Sequence, residues 1–127
     1  MAWDLNSARP IYTQIADVIR RRIVGGVYPT GHKLPSVRDL ASEAAVNPNT
    51  MQRSFAELEQ EGLICTERTA GRFVTEDQSV IETQRERLIR SAVFEFAEKM
   101  RGIGVESGQL CEQIETVLKE GDEKFEN

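Results

Sequence analysis

Two short helical patterns that meet at a tight turn, within residues 34–62, constrain this chain most. The first begins at Leu34-Pro35-Ser36-Val37-Arg38-Asp39-Leu40-Ala41, the second at Asn47-Pro48-Asn49-Thr50-Met51. Ser36 is a good N-cap, and Asp39 three residues on nearly completes a capping box. Leu40 and Ala44 face inward, and Val46 closes this helix into the turn. Asn47 caps the next helix, and Pro48 fills its first position, where a missing N–H costs nothing. Met51, Phe55 and Leu58 recur at i, i+4 and i+7 as a buried stripe, and Gly62 stops the helix. The pattern predicts a helix-turn-helix.

Its surroundings read as support. Pro10 opens a helix in which Ile11, Ile15, Val18, Ile19 and Ile23 recur at helical spacing, until Gly25-Gly26 ends it. Arg20, Arg21 and Arg22 cluster at its C-terminal end, where positive charge suits the helix dipole. Tyr28-Pro29-Thr30-Gly31 reads as a turn. Residues 63–66 and 72–75 read as two short strands around Thr69-Ala70-Gly71, a hairpin wing. From about Ser79 the chain is helical again, with Leu88, Ile89, Ala92, Val93, Phe96, Ala97 and Met100 on a broad apolar face broken at Gly102 and Gly104. Leu110, Ile114, Val117 and Leu118 mark a last amphipathic helix. The expected fold is mainly α with a small β-hairpin. A winged helix-turn-helix occupies residues 1–77, and a two-helix dimerisation arm that could also respond to an effector occupies 78–127.

A hydrophobic content of 39% suffices for a small core. No apolar run approaches the ~20 residues of a membrane span. No basic region followed by an apolar stretch marks a secretion signal. Cys65 and Cys111 are lone and far apart, which favours reduced thiols. These features point to the cytosol and away from membranes. The net charge of −5 is uneven: residues 1–75 sum to +1, and residues 76–127 to −6. Between Arg20 and Arg53 stand six basic and two acidic residues, a stretch expected to form a local basic surface for phosphates.

At ~100° per residue, Asn49 and Arg53 point nearly opposite Met51, with Thr50 and Ala56 close to that face. Asn pairs with adenine, Arg pairs with guanine, and Thr suits a phosphate or a thymine methyl. Ala56 leaves room for a duplex, and Gln52 flanks it. The helix N-terminus is expected to offer free N–H groups to the backbone. Arg38, early in the preceding helix, can grip phosphate or reach a base, and Arg68 and Arg72 flank the wing tip. Plainer readings stand beside these. Asn47 and Pro48 can serve only as caps, Arg53 can be solvated, Arg38 can pair with Glu43 or Asp39, and the wing arginines can face water.

Taken together, several runs resemble the winged-helix domain of the GntR family of bacterial transcriptional regulators. They are Pro10-Ile11-Tyr12-x-Gln14-Ile15; Gly26-x-Tyr28-Pro29-x-Gly31-x-x-Leu34-Pro35-Ser36-x-Arg38-x-Leu40-Ala41; Val46-Asn47-Pro48-Asn49-Thr50; Leu58-Glu59-x-Glu61-Gly62-Leu63-Ile64; and Gly71-x-Phe73-Val74. The resemblance covers about residues 9–76, and the short helical tail is similar to the YtrA-type subgroup. It implies a homodimer on a double-stranded operator, with Arg38, Asn47, Asn49, Thr50 and Gly71 at the DNA. Ser36, Pro48, Gln52, Arg53, Arg68 and Arg72 complete the candidate interface. Many family members carry Arg at the positions of Pro48 and Gln52, and Arg53 is one step from the latter. Thr69 replaces a wing glycine, and Arg72 replaces a threonine. A base preference different from that of relatives with both arginines is implied.

The apolar faces of the tail need partners. A second copy of the chain is the simplest, with Leu88, Ala92, Val93, Phe96, Met100, Leu110, Ile114, Val117 and Leu118 as dimerisation residues. Packing back on the winged helix is the alternative. The tail has no His and is too short to enclose a large cavity, so no metal or cofactor is expected. An unidentified small effector between subunits stays open. His32 is expected in an exposed turn, Cys65 packed on a wing strand, Cys111 similarly on the last helix, and Trp3 fastening the N-terminal arm to the domain or its dimer mate. The leading expectation is a DNA-binding repressor, the second a winged-helix module that binds protein instead. No catalytic constellation is visible.

Overall fold

A computed structural model describes residues 3–126, with side chains to residue 122. The element order is α1 (Ile11–Val24), α2 (Val37–Ala44), α3 (Pro48–Gln60), β1 (Ile64–Glu67), β2 (Gly71–Val74), α4 (Gln78–Gly102) and α5 (Leu110–Glu126). A single 3-10 turn, Ser107–Gln109, leads into α5. The chain divides into two compact units between Glu86 and Arg87.

In the first unit α3 is central, packing on α1, α2 and β1. Ile15, Ile19, Leu40, Met51, Phe55, Leu58, Leu63 and Val74 are fully buried. Each such side chain contributes about 1.5–3 kcal/mol by leaving water. Ile81 and Gln84, in the first turns of α4, are buried too. Asp77 starts that helix by accepting the Ser79 amide at 2.9 Å. The turn between α2 and α3 hinges on Ala45, the sole non-glycine at positive φ (59°) among the described residues. A left-handed alanine costs about 1 kcal/mol. Here it lets the Val46 amide fold back to the Ala41 carbonyl at 3.0 Å.

β1 and β2 pair in antiparallel register from Ile64↔Val74 to Glu67↔Gly71, leaving residues 68–70 as the wing tip. Leu63 and Thr75, expected inside the strands, lie just beyond them, yet the Thr75 amide still reaches the Leu63 carbonyl at 2.9 Å. Gly71 has φ 109°, a region that favours glycine. No sequence pattern marks residues 32–34 as part of this hairpin. Lys33 bridges Phe73. The Leu34 amide donates to the Arg72 carbonyl at 2.8 Å, and the Val74 amide donates to the His32 carbonyl at 2.9 Å. Pro35 ends this third edge after a stretch too short for alternation to reveal.

The basic surface expected from Arg20 to Arg53 loses Arg20 and Arg22 to structure. Arg20 donates to Asp17 at 2.6 Å and to both carboxylate oxygens of Glu61 at 2.6 and 2.7 Å. Burial pulls its guanidinium pKa down, but Glu61 and Asp17 outweigh burial and the net direction is up. Arg22 donates to the Tyr28 hydroxyl at 2.7 Å and to Glu43 at 2.8 Å, and its guanidinium carbon lies 4.6 Å from the centre of the Trp3 ring. Trp3 Nε1 donates to the same Glu43 at 2.6 Å, so the N-terminal arm is fastened to its own domain. Buried Gln14 holds the arm further on, donating to the carbonyls of Asn6 and Arg9 at 2.7 and 2.8 Å.

In the second unit, Glu106 and Gln109 form a reciprocal capping box ahead of α5. Phe96, Met100, Gln113, Ile114, Val117 and Leu118 line an open groove of about 320 Å³. Val93, Phe96, Ile114, Val117 and Leu118 are exposed, and so is Ala92, whereas Leu88, Met100 and Leu110 are half-buried. Phe94 and Ile103, absent from the apolar faces read from the sequence, are more exposed still. Phe94 lies ~160° around α4 from Phe96, off the stripe that periodicity picks out.

Candidate nucleic-acid interface

The start of α3 presents side-chain donors rather than backbone ones. Asn47 Oδ1 accepts the Asn49 amide at 2.8 Å. The Asn47 carbonyl accepts the amides of Thr50 and Met51 at 3.0 and 3.2 Å. Pro48 has no N–H. The cap residue therefore takes up the amides of Asn49, Thr50 and Met51, which the sequence leads one to expect free at this tip. What it leaves is its own Nδ2 group, which has no hydrogen-bond partner among the described residues. Ser36 follows the same logic: its Oγ accepts the Asp39 amide at 3.0 Å, and its O–H is left to donate outward. Only this half of the capping box forms among the described residues.

Asn47, Pro48, Asn49, Gln52, Arg53 and Ala56 are exposed, and Thr50 is half-buried. Asn49, Thr50 and Arg53 share an open hollow with Pro10, Ile11 and Tyr12 of the α1 start. The Arg53 guanidinium carbon sits 3.8 Å from the centre of the Tyr12 ring. Next to Arg53, fully buried Ser54 donates to the Tyr12 carbonyl at 2.7 Å. Neither Tyr12 nor Ser54 was read as part of the site. The one available signal was Ser54 on the buried stripe of α3, beside Met51 and Phe55, where a lone hydroxyl needs a partner.

Arg38 is exposed in the first turn of α2 and forms no ion pair among the described residues; Glu43, its possible partner, is held by Arg22. The wing arginines part ways. Arg68 is exposed at the tip, whereas Arg72 is half-buried with its guanidinium carbon 5.4 Å from the Phe55 ring centre and its Nε buried without an acceptor. Exposed Lys33 lies across Gly71, its Cε 2.9 Å from where a Cβ on Gly71 would stand. The sequence hid this placement because it depends on the third edge of the wing. His32 is exposed in its turn. Cys65 and Cys111 are exposed as well, so neither packs as expected; Cys65 falls on the solvent side of β1.

The sequence matches the gntR family of bacterial regulatory proteins over residues 11–74, which run from α1 to the end of β2. The chain belongs to the GntR family.

This GntR-family chain is 37% identical to the HTH-type transcriptional regulator YhcF of Bacillus subtilis, across 91% of this chain and 95% of the relative. It is 33% identical to the HTH-type transcriptional repressor YtrA of the same organism, across 90% and 88%. Among solved structures, a GntR family transcriptional regulator from Listeria monocytogenes superposes with a TM-score of 0.79 at 36% identity, covering 88% of this chain and 98% of that one. YtrA from Sulfolobus acidocaldarius, a GntR-family transcription factor, superposes at 0.53 with 29% identity over 94% and 97%. The regulator is thus a DNA-binding transcription factor built on a winged helix-turn-helix. Among its described residues no helix is long and apolar enough to cross a membrane, and no cluster of metal-ligating side chains occurs.

Proposed function

We propose that the protein is a cytoplasmic repressor that binds a pseudo-palindromic operator as a homodimer and has no catalytic role. The observation that carries this reading is the exposed tip of α3, where Asn49 and Arg53 stand clear of the core stripe of Met51, Phe55 and Leu58. In the major groove, Asn49 and Arg53 read base edges, with Thr50 and Gln52 beside them. Asn47 and Ser36 donate to phosphates, Pro48 starts the helix at the backbone, and Arg38 grips phosphate from α2. Arg68 reaches the duplex from the wing, and Gly71 stands at the DNA beside it, with Lys33 lying across the space a side chain would take. Arg72 supports the wing from beneath while remaining near the DNA.

The exposed apolar surface of α4 and α5 supports the second copy, whose α3 then reads the other half-site about 34 Å away. Any small effector acts through this arm. YtrA of Bacillus subtilis is named a repressor, which favours that direction of control.

Selection of genomic fragments at moderate salt tests the reading. A recovered inverted repeat is expected, with base preference relaxed by Arg53→Ala and specific binding weakened by Arg38→Ala. Recovery of no preferred site would overturn it.

A further inference from the structure

We infer that Tyr12 is a specificity-determining positioning residue, whose ring fixes the direction from which Arg53 approaches a base edge. The inference rests on α3 being the groove-reading helix. An arginine on an exposed helix face samples many rotamers, and bidentate pairing with guanine needs one orientation of a planar fork. Stacking holds the guanidinium by its face and leaves the in-plane N–H donors free. The 3.8 Å approach of Arg53 to the Tyr12 ring has this character, and no ion pair among the described residues competes for the group.

The ring is itself held in place. Ser54, the residue after Arg53, donates its buried hydroxyl to the Tyr12 carbonyl at 2.7 Å. Thr13 braces the same turn by donating to the Pro10 carbonyl at 2.7 Å. Two consecutive residues of α3 thus grasp the two ends of Tyr12, the backbone by Ser54 and the ring by Arg53. Asn49 and Gln52, on the same helix, have no such support among the described residues. Tyr12 is half-exposed and lines the hollow with Arg53, so removing its ring alters the surface more than the core.

The experiment uses duplexes selected by the wild-type protein from random-sequence DNA, competed base by base. Tyr12→Leu is expected to narrow the preference at the Arg53-dependent position about two- to fivefold, the loss expected for one exposed cation–π contact. Tyr12→Phe keeps the ring and should keep the preference. In an Arg53→Ala background, Tyr12→Leu should change nothing further. Independently of DNA, the Arg53 δ-protons of the free wild-type and Tyr12→Phe proteins should resonate upfield from ring current. An unshifted Arg53 overturns the inference even if Tyr12→Leu does not fold. So does unchanged or sharpened discrimination in Tyr12→Leu, or an equal loss in the Arg53→Ala background. Recovery of no preferred duplex by the wild type overturns the DNA reading and this inference together, whereas a preference lost in Arg53→Ala but kept in Tyr12→Leu overturns this inference alone.

Discussion

Arg20 of α1 holds both carboxylate oxygens of Glu61, just past the end of α3, at 2.6 and 2.7 Å. The pair fastens the far end of α3 to α1, as Ser54 and Tyr12 fasten its middle, so the helix is pinned to one neighbour at two points along its length.

Arg20→Met should lower the unfolding free energy by about 1–2 kcal/mol. The pair is only partly buried, with side-chain exposures of 12% and 24%, and so falls between exposed and fully buried ion pairs. Urea denaturation of both single variants and the Arg20→Met/Glu61→Gln double variant measures this. Additive losses would show that the two side chains do not act together.

Trp3 should report acid release of the N-terminal arm. Hydrogen bonds from Arg22, then from Trp3, hold the Glu43 carboxyl below the usual glutamate range. A carboxylate with a depressed folded pKa stabilises above its unfolded pKa, and the stability is lost as pH falls through the folded value. The fluorescence of Trp3, the one tryptophan of the chain, should therefore change reversibly at a midpoint below the ordinary glutamate range. Glu43→Gln should abolish that transition.

Arg68→Ala should weaken binding to all duplexes alike and reduce the slope of log affinity against log salt by about 1 per protomer. Salt titrations on matched and scrambled sites check this. A loss confined to the matched site would make Arg68 a base reader.

Leu118→Glu should yield a monomer by light scattering. Leu118 is 63% exposed in the single chain, so the change should alter the stability of the isolated fold by no more than about 0.5 kcal/mol. Affinity for a two-half-site duplex should fall by about 100-fold or more, because the linked second contact is lost. Binding to one half-site should be unchanged. A Leu118→Glu protein that remains dimeric would place the interface elsewhere.

Much of the first unit was legible because its signals are local. Ser36, Asn47-Pro48, Gly25-Gly26 and Gly62 mark helix ends within a turn of their position, and the Met51-Phe55-Leu58 stripe orients α3 without knowledge of the partner. What escaped the sequence depends on distant residues. Arg20 and Arg22 look like available positive charge until Glu61 and Glu43 arrive from other helices. Residues 32–34 acquire strand pairing only when β2 lies beside them. Arg68 and Arg72 are equivalent on paper and diverge because β-strand alternation turns one toward Phe55. The amides at the start of α3 disappear into the cap, since Asn47 bonds three of its successors at once.

That last arrangement gives the tip a polarity. With Oδ1 of Asn47 committed inward, the side chain can meet the outside only as a donor, and the direction of its amide is dictated by the helix it starts. An aspartate there would begin the helix equally well and yet turn an unpaired anionic oxygen toward any phosphate. Fold and ligand therefore place different demands on one position, and asparagine is the side chain that satisfies both.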